Sequence, residues 1–327
     1  MRVPQVHRFV VAAAALLAIA MADAPSASCA ESRDPVAAAQ AFLASLDAPR
    51  RRVAHLGFGA PERLEWEYRP GPRAGIPIGR LTPLQRAAAE ALWQSGLAAE
   101  GLRRIGAVLL RERILQASVS ASARQQGWRD PGLYHLAVFG APAADQRWSW
   151  RLDGHHLSVH LTYIGSRLVS SSPSFLGGNP ASTREDGGHV AHATLAAWRA
   201  LYATLDDRQR AAVYGGARIP GDIVMQPGAR RASAPTSGLD IAALDERQQT
   251  LLLAVLATYA VGARDGEPGL PRTAADLAGV RLRVRGDPQA VRAHHVEIAG
   301  PRFAAEHRDP GGHVHLLWRT ELDHGGR

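Results

Sequence analysis

The sequence predicts an α+β protein made of two pseudo-repeated halves, each a pair of helices or more followed by a three-stranded antiparallel meander. Three observations support this fold class. Amphipathic Ala/Leu-rich stretches begin with helix-capping residues, short alternating stretches are separated by two-residue turns, and this order of features recurs once along the 327 residues. A chain of this length can bury a large hydrophobic core in one or two domains.

The first 30 residues predict a signal peptide rather than a part of the fold. Basic residues precede the apolar run Phe9–Ala20, which is too short to span a bilayer and fits the hydrophobic segment of a secretory leader. Cleavage near Ala30 removes Cys29, the single cysteine, so the exported chain would contain neither a disulfide nor a thiolate ligand. We therefore expect an exported protein, periplasmic or extracellular, without a membrane span.

A weak internal duplication indicates the two halves. In each copy an amphipathic stretch ends in Leu-Asp and is followed by an arginine; the copies are Leu46-Asp47 with Arg51 and Leu205-Asp206 with Arg210. We place the first half at residues 31–186 and the second at residues 187–327, joined by a loop over residues 177–188. The two halves are expected to form one compact unit.

Each half contains the start of a long helix, marked by a capping box in which the capping side chain precedes a glutamine by three residues. The pairs are Thr82 with Gln85 and Asp245 with Gln248. With Pro83 suited to a first helical turn, they predict helices over roughly residues 83–99 and 246–260.

Alternating stretches separated by turn residues predict the two meanders. The first is expected at residues 148–152, 155–163 and 167–172, with turns at Asp153-Gly154 and Gly165-Ser166. The second is expected at residues 294–298, 301–307 and 313–319. Residues 215–240, rich in Gly, Pro, Ser and Arg, predict a long surface loop.

The charge balance argues against a nucleic-acid partner. The formal net charge is +8, but all 38 basic residues are arginine, which together with the high alanine content indicates a coding bias. The basic clusters are short, scattered and interrupted by acids, and no aromatic surface for base stacking accompanies them. Apolar residues make up 46% and charged residues 21% of the chain, which is typical of a globular protein.

Histidine is the residue type that points to chemistry. With a turn at Asp153-Gly154, His155 shares a face with the neighbouring tryptophans, and we expect it in the core. His156 lies on the opposite, polar face together with His160. About 13 Å of strand separates these two residues, which is too far for one ion.

The second meander predicts a metal site. Apolar residues alternate with His313 and His315, which places these two imidazoles on one face about 7 Å apart and allows them to converge on one ion. Matching of apolar residues favours a register with Glu306 near His313, and His295 lies on the same face of the preceding strand. We predict a site for Zn²⁺, Cu²⁺ or Ni²⁺ made by His313 and His315 and completed by Glu306, His295 or His156. Binding is expected to weaken as the imidazoles protonate near pH 6.

Two other functions remain open at the level of sequence. The same histidines could activate a water molecule in a metal-dependent hydrolase. Alternatively, the protein binds an anionic or sugar ligand without a metal, in a cleft formed by Arg151, Arg319, Trp148 and Trp150. The sequence contains no nucleophile elbow, P-loop or Rossmann glycine pattern that would favour a different enzyme class.

A set of motifs extends along the chain: Trp66-x-Tyr68-x-Pro70, Asp130-Pro131, Phe139-Gly140, Trp150-Arg151-x-x-Gly154-His155-His156-Leu157, Pro173-x-Phe175-x-Gly177-x-Asn179-Pro180 and His313-x-His315-x-x-Trp318-Arg319. This set resembles the bacterial and fungal family catalogued as domain of unknown function 3500. The resemblance covers the chain from about residue 35 onward. It implies one family fold and draws attention to the same histidines, but it implies no activity.

Overall fold

The computed structural model describes residues 34–120, 122, 129–184, 188–228, 237–321 and 323 of the chain. The signal peptide expected over residues 1–30 lies outside this part. Within it the fold is α+β, as predicted, with helices packed against a large mixed sheet.

The helices of the described residues are α1 (Pro35–Ser45), α2 (Ala48–Ala54), α3 (Pro83–Gly96), α4 (Ala99–Ser118), α5 (His192–Thr204), α6 (Asp207–Val213) and α7 (Glu246–Ala257). Both predicted capping boxes are present, at Thr82 and at Asp245. Helix α3 ends before the predicted residue 99 because Leu97 becomes extended and forms a bridge with Ala263. No helix in these ranges is long and apolar enough to cross a membrane.

The strands are β1 (His55–Leu56), β2 (Ile76–Pro77), β3 (His135–Gly140), β4 (Arg147–Gly154), β5 (Leu157–Ile164), β6 (Arg167–Ser170), β7 (Ser174–Gly178), β8 (Ser182–Thr183), β9 (Gly188–His189), β10 (Leu239–Asp240), β11 (Arg281–Gly286), β12 (His294–Ala299), β13 (Phe303–Asp309) and β14 (Val314–Thr320). Twelve of them form one sheet in the order β1-β3-β4-β5-β7-β14-β13-β12-β11-β10, with β2 paired to β3 and β6 paired to β5. Strands β8 and β9 pair with each other in a separate hairpin.

The two predicted meanders are parts of this one sheet. The first corresponds to β4-β5-β6 and the second to β12-β13-β14, each antiparallel throughout. Strand β7 joins them, since it pairs with β5 on one side and with β14 on the other, where Leu176 lies opposite Leu316. The joining loop predicted to begin at Gly177 is therefore wrong at its start, because residues 177 and 178 belong to β7.

The turn of the first hairpin differs from the prediction. Gly154 pairs with Leu157, so the turn consists of His155 and His156 rather than of Asp153-Gly154. The reason is a buried polar network around Asp153, whose carboxylate lies 2.9 Å from Nε of Arg151 and accepts a hydrogen bond of 2.7 Å from Ser158 Oγ. This network keeps Asp153 within the strand and moves both histidines to the end of the hairpin.

The two faces of the sheet are covered differently. Large apolar side chains under the helices form two cores, one centred on Trp150 and the other on Trp318. On the opposite face a smaller cluster contains Tyr68, Phe175 and Leu317. Because side chains alternate along a strand, His315 shares this second face with Leu317. Tyr68, Ile223 and Met225 of this cluster lie in irregular segments of the chain.

Candidate metal centre

Three imidazoles meet where the first hairpin turn approaches β14. The Nε2 atom of His313 lies 2.8 Å from Nε2 of His156 and 3.0 Å from Nε2 of His315. Ligand atoms of all three residues lie within 4.8 Å of one another. His156 and His315 are buried, whereas His313 is half-buried and connects the group to solvent.

His156 is held by contacts of its backbone. Its φ of 64° lies in the left-handed region, which is uncommon for a residue with a side chain. Its N–H donates to the carbonyl oxygen of Tyr68 at 2.8 Å, and its own carbonyl accepts from the N–H of Gly177 at 2.8 Å. A Cβ atom at Gly177 would lie 3.0 Å from Cδ2 of His156, so this glycine leaves the space that the imidazole occupies.

His313 belongs to the turn before β14, and Asp309 shapes that turn. The Oδ1 atom of Asp309 accepts hydrogen bonds from the N–H groups of Gly311 and Gly312, both at 2.7 Å, and from the N–H of His313 at 3.3 Å. The other carboxylate oxygen lies 3.1 Å from Nε2 of His189. One buried carboxylate thus fixes the backbone that presents His313.

His315 is oriented by a carboxylate behind its ring. Its Nδ1 atom lies 2.7 Å from Oδ1 of Asp222, whose Oδ2 accepts a 2.8 Å hydrogen bond from the hydroxyl of Tyr68. Burial acts to raise the pKa of Asp222, but the hydrogen bonds that its carboxylate makes, first of all with His315, lower it to about 2. An ionised carboxylate can only accept, so Nδ1 of His315 carries the proton of this hydrogen bond, and Nε2 is the ring nitrogen that faces His313.

The surroundings keep the other two imidazoles neutral. Burial, followed by the charges of the neighbouring histidines, lowers the pKa of His313 to about 4 and that of His156 well below its ordinary value. Neutral imidazoles are the form that binds metal ions. In a tetrahedral zinc site, two nitrogen ligands are about 3.4 Å apart. The Nε2 atoms here are 2.8 Å and 3.0 Å apart, so they need to move outward only slightly to accommodate an ion.

His155 is not in the core, contrary to the prediction. It is half-buried at the turn, its ring centroid lies 3.7 Å from that of His156, and its Nδ1 lies 2.6 Å from Oε2 of Glu112. The prediction failed because it placed the turn two residues too early.

Glu306 and His295, the other predicted ligands, lie outside the three-histidine group. They contact each other at 2.6 Å, both fully buried, and Glu306 also accepts hydrogen bonds from the N–H groups of Val224 and Met225. The expected register is wrong, because Glu306 lies opposite Leu317 and not beside His313. These hydrogen bonds already satisfy the carboxylate of Glu306.

The residues of the alternative cleft are held in buried contacts of the described part of the chain. Trp148 and Trp150 are fully buried in the core. Arg151 pairs with Asp153 and donates to the carbonyl oxygen of Glu65, and Arg319 pairs with Asp323. These four predicted cleft residues line neither a cavity of about 520 Å³ next to His189 nor one of about 300 Å³ next to His155.

Sequence reasoning missed two carboxylates that position the centre. Asp222 lies in the stretch predicted as a surface loop, where no periodicity connects it to β14. Asp309 precedes Pro310-Gly311-Gly312, and an aspartate before a glycine turn is a local signal for hydrogen bonds to the turn's backbone N–H groups. That signal was available in the sequence, whereas the contact of Asp222 with His315 depends on the tertiary fold.

Comparisons with known proteins agree with the resemblance seen in the motifs. A family model described as "Protein of unknown function (DUF3500)" matches residues 29–326, which is nearly the whole chain. No curated protein and no solved structure is significantly similar to the chain.

Proposed function

We propose that this chain, which belongs to the DUF3500 family, binds a divalent transition-metal ion through His156, His313 and His315. Zn²⁺, Cu²⁺ and Ni²⁺ are the candidate ions, because all three accept imidazole ligands. The role we propose is metal handling or metal-dependent binding.

The observation that carries the proposal is the convergence of three Nε2 atoms. The Nε2 atom of His313 lies at hydrogen-bond distance from two other Nε2 atoms. If it carries a proton, it can donate that proton to only one of them, so the three nitrogens have too few protons to be joined by hydrogen bonds alone. A divalent cation would satisfy all three lone pairs together. Asp222 supports this function, since a carboxylate on the distal nitrogen of a histidine is the usual partner of a metal-ligating imidazole.

Isothermal titration of metal-stripped protein with each of the three ions tests the proposal. We expect binding tighter than about 10 µM for at least one of them. The double substitution of His313 and His315 by Ala should abolish it, while His192→Ala, which removes an exposed histidine on α5, should leave it unchanged. Absence of such binding by the native chain for all three ions contradicts the proposal.

We further propose that the protein acts outside the cytoplasm. The basic start, the apolar run Phe9–Ala20 and the small residues before Glu31 support export. Cell fractionation with sequencing of the mature N-terminus tests this: a chain that keeps its first 30 residues in the cytoplasm contradicts it.

A metal-dependent hydrolase is the second candidate function. Two observations favour it: three protein ligands leave a coordination position for water, and a cavity of about 300 Å³ reaches His155, whose ring packs against that of His156. Assays of the metal-loaded chain with chromogenic carboxylic and phosphate esters test this candidate. Turnover that requires the metal and is lost in His313→Ala supports it, and a loaded chain without turnover on either class does not.

We also propose that the fold consists of two pseudo-repeated halves, residues 31–186 and 187–327. Corresponding glutamines support this: Nε2 of Gln85 donates to the carbonyl oxygen of Ser45 at the end of α1, and Nε2 of Gln248 donates to that of Thr204 at the end of α5. Superposition of the two halves in an experimental structure tests the proposal, which requires α1, α2 and α3 to overlay α5, α6 and α7.

A further inference from the structure

We infer that Glu112 and His155 hold a second metal ion beside the one bound by the three histidines. This inference rests on the proposed function of His156, His313 and His315 and adds an adjacent binding position to it. Ligand atoms of Glu112, His155 and His156 lie within 4.8 Å of one another, which makes His156 the neighbour common to both positions.

The carboxylate of Glu112 is buried and incompletely paired. Its side chain projects from α4, and the residue is 2% exposed. The Oε2 atom lies 2.6 Å from Nδ1 of His155, but among the described residues Oε1 has no hydrogen-bond partner. A buried carboxylate oxygen without a partner is costly, and a cation bound to it would remove that cost.

The close packing of the His155 ring against that of His156 indicates two ions rather than one shared ion. The ring centroids are 3.7 Å apart and the ring planes are tilted by 31°. The lone pair of an imidazole nitrogen lies in the plane of its ring. Two rings packed face against face therefore direct their lone pairs toward two neighbouring positions and not toward one. The spacing of the rings is similar to the separation of about 3.5–4 Å between the ions of two-metal sites.

One carboxylate lies close to each position. Asp222 stands behind His315 at the first position, and Glu112 supplies a carboxylate directly at the second. In the metal-free chain a guanidinium lies at this imidazole, since the Nη1 atom of Arg129 lies 2.8 Å and 2.6 Å from the two ring nitrogens of His155. An ion at the second position must displace this guanidinium, so it should bind more weakly than the first ion.

The second position has access from solvent. Glu112 and His155 both line the cavity of about 300 Å³, together with Arg73, Asp130, Tyr134 and His135. An ion can therefore enter without opening the hydrophobic core. The three-histidine centre and this position would form a two-metal site with the cavity at its side.

Titration of the full metal-stripped chain with Zn²⁺ and with Cu²⁺, monitored by calorimetry and metal analysis, tests the inference. We expect two ions per chain, the second bound roughly tenfold or more weakly than the first. Glu112→Gln should bind one ion with the first affinity intact, and Glu246→Gln, at an exposed helical position, should still bind two. Arg129→Gln removes the competing cation and should tighten the second ion by roughly tenfold.

The possible outcomes separate the inference from the proposed function. One ion in the native chain, lost on substitution of His313 and His315, overturns the second position and leaves the first intact. Two ions in Glu112→Gln also overturn the second position, and no ion in the native chain overturns both. Electron paramagnetic resonance of the chain loaded with two Cu²⁺ ions gives an independent readout, because ions this close should show spin coupling that Glu112→Gln lacks.

Discussion

The Nδ1 atom of His315 lies 2.7 Å from Oδ1 of Asp222, and this contact joins a loop of the second half of the chain to the centre of the sheet. It fixes the tautomer of His315 and directs its Nε2 atom toward His313. The same carboxylate accepts a hydrogen bond from Tyr68, a residue of the first half. The geometry of the three-histidine centre therefore depends on segments that are far apart in sequence.

Asp222→Asn should weaken metal binding without removing a ligand. An amide in place of the carboxylate makes His315 less basic and orients it less firmly, and loss of such a partner costs roughly 10- to 100-fold in metal affinity. A chelator-competition titration measures the change. Tyr68→Phe removes the hydrogen bond to the other carboxylate oxygen and serves as the milder control; equal affinity of Asp222→Asn and the native chain would contradict the assigned role.

Gly177→Ala should destabilise the fold and displace His156. The added Cβ would lie 3.0 Å from both Cδ2 of His156 and the carbonyl oxygen of Val314, and overpacking of this kind costs about 1–3 kcal/mol. We expect a lower free energy of unfolding in urea together with weaker metal binding. The matched control is Gly106→Ala in α4, where nothing lies within 4 Å and the substitution should stabilise the helix by about 0.5–1 kcal/mol. A Gly177→Ala chain as stable as Gly106→Ala contradicts this account.

The stability of the metal-free chain should fall as the pH drops below about 6.5. His307 is fully buried, and burial, followed by the charges of His294 and His295, holds its pKa well below the ordinary value near 6.5. The unfolded chain therefore takes up a proton at this position while the folded chain does not, so acid favours unfolding. His307→Gln should reduce the slope of unfolding free energy between pH 6 and 5 by up to about 1.4 kcal/mol per pH unit. An unchanged slope in urea melts would show that His307 does not titrate in this way.

Metal affinity should depend only weakly on pH. The low pKa values of His156 and His313 mean that neither imidazole has to lose a proton to bind an ion at pH 5.5. We therefore expect the affinity to fall by no more than about tenfold in total between pH 7 and 5.5, compared with a fall of roughly several hundredfold for three histidines of ordinary pKa. Titrations at several pH values measure the change, and a fall of roughly several hundredfold across this range would contradict the burial argument. The sequence alone predicts a general weakening near pH 6, and the low pKa values of His156 and His313 predict a shallower dependence.

Local patterns predicted the elements of the fold, and tertiary contacts decided the rest. The capping boxes at Thr82 and Asp245 are present because a cap depends on neighbouring residues alone. The turn at Asp153-Gly154 was wrong although it carries a strong hairpin signal, because Arg151 and Ser158 bind Asp153 within the sheet. Pairing of β7 with β14 joins segments too distant for any sequence pattern to connect.

The candidate site shows the same division between what local patterns predict and what tertiary contacts decide. Alternation along the predicted strand places His313 and His315 together, although His313 lies in the turn just before β14. The polar position of His156 marks it as a candidate ligand. The predicted position of Glu306 was wrong because the pairing of β13 with β14 places it opposite Leu317, and its carboxylate contacts His295. Glu112 lies 43 positions before His155, on a helix whose sequence does not indicate which side chain meets the hairpin turn.

X-ray absorption spectroscopy of the chain loaded with one equivalent of Zn²⁺ tests the central claim most directly. The three-histidine centre predicts a first shell of nitrogen and oxygen atoms at about 2.0–2.1 Å, with the outer-shell scattering of three imidazole rings. The imidazole contribution should fall to that of two rings in His313→Ala. A shell of oxygen atoms without imidazole scattering, or a spectrum that is the same in the native chain and in His313→Ala, would contradict it.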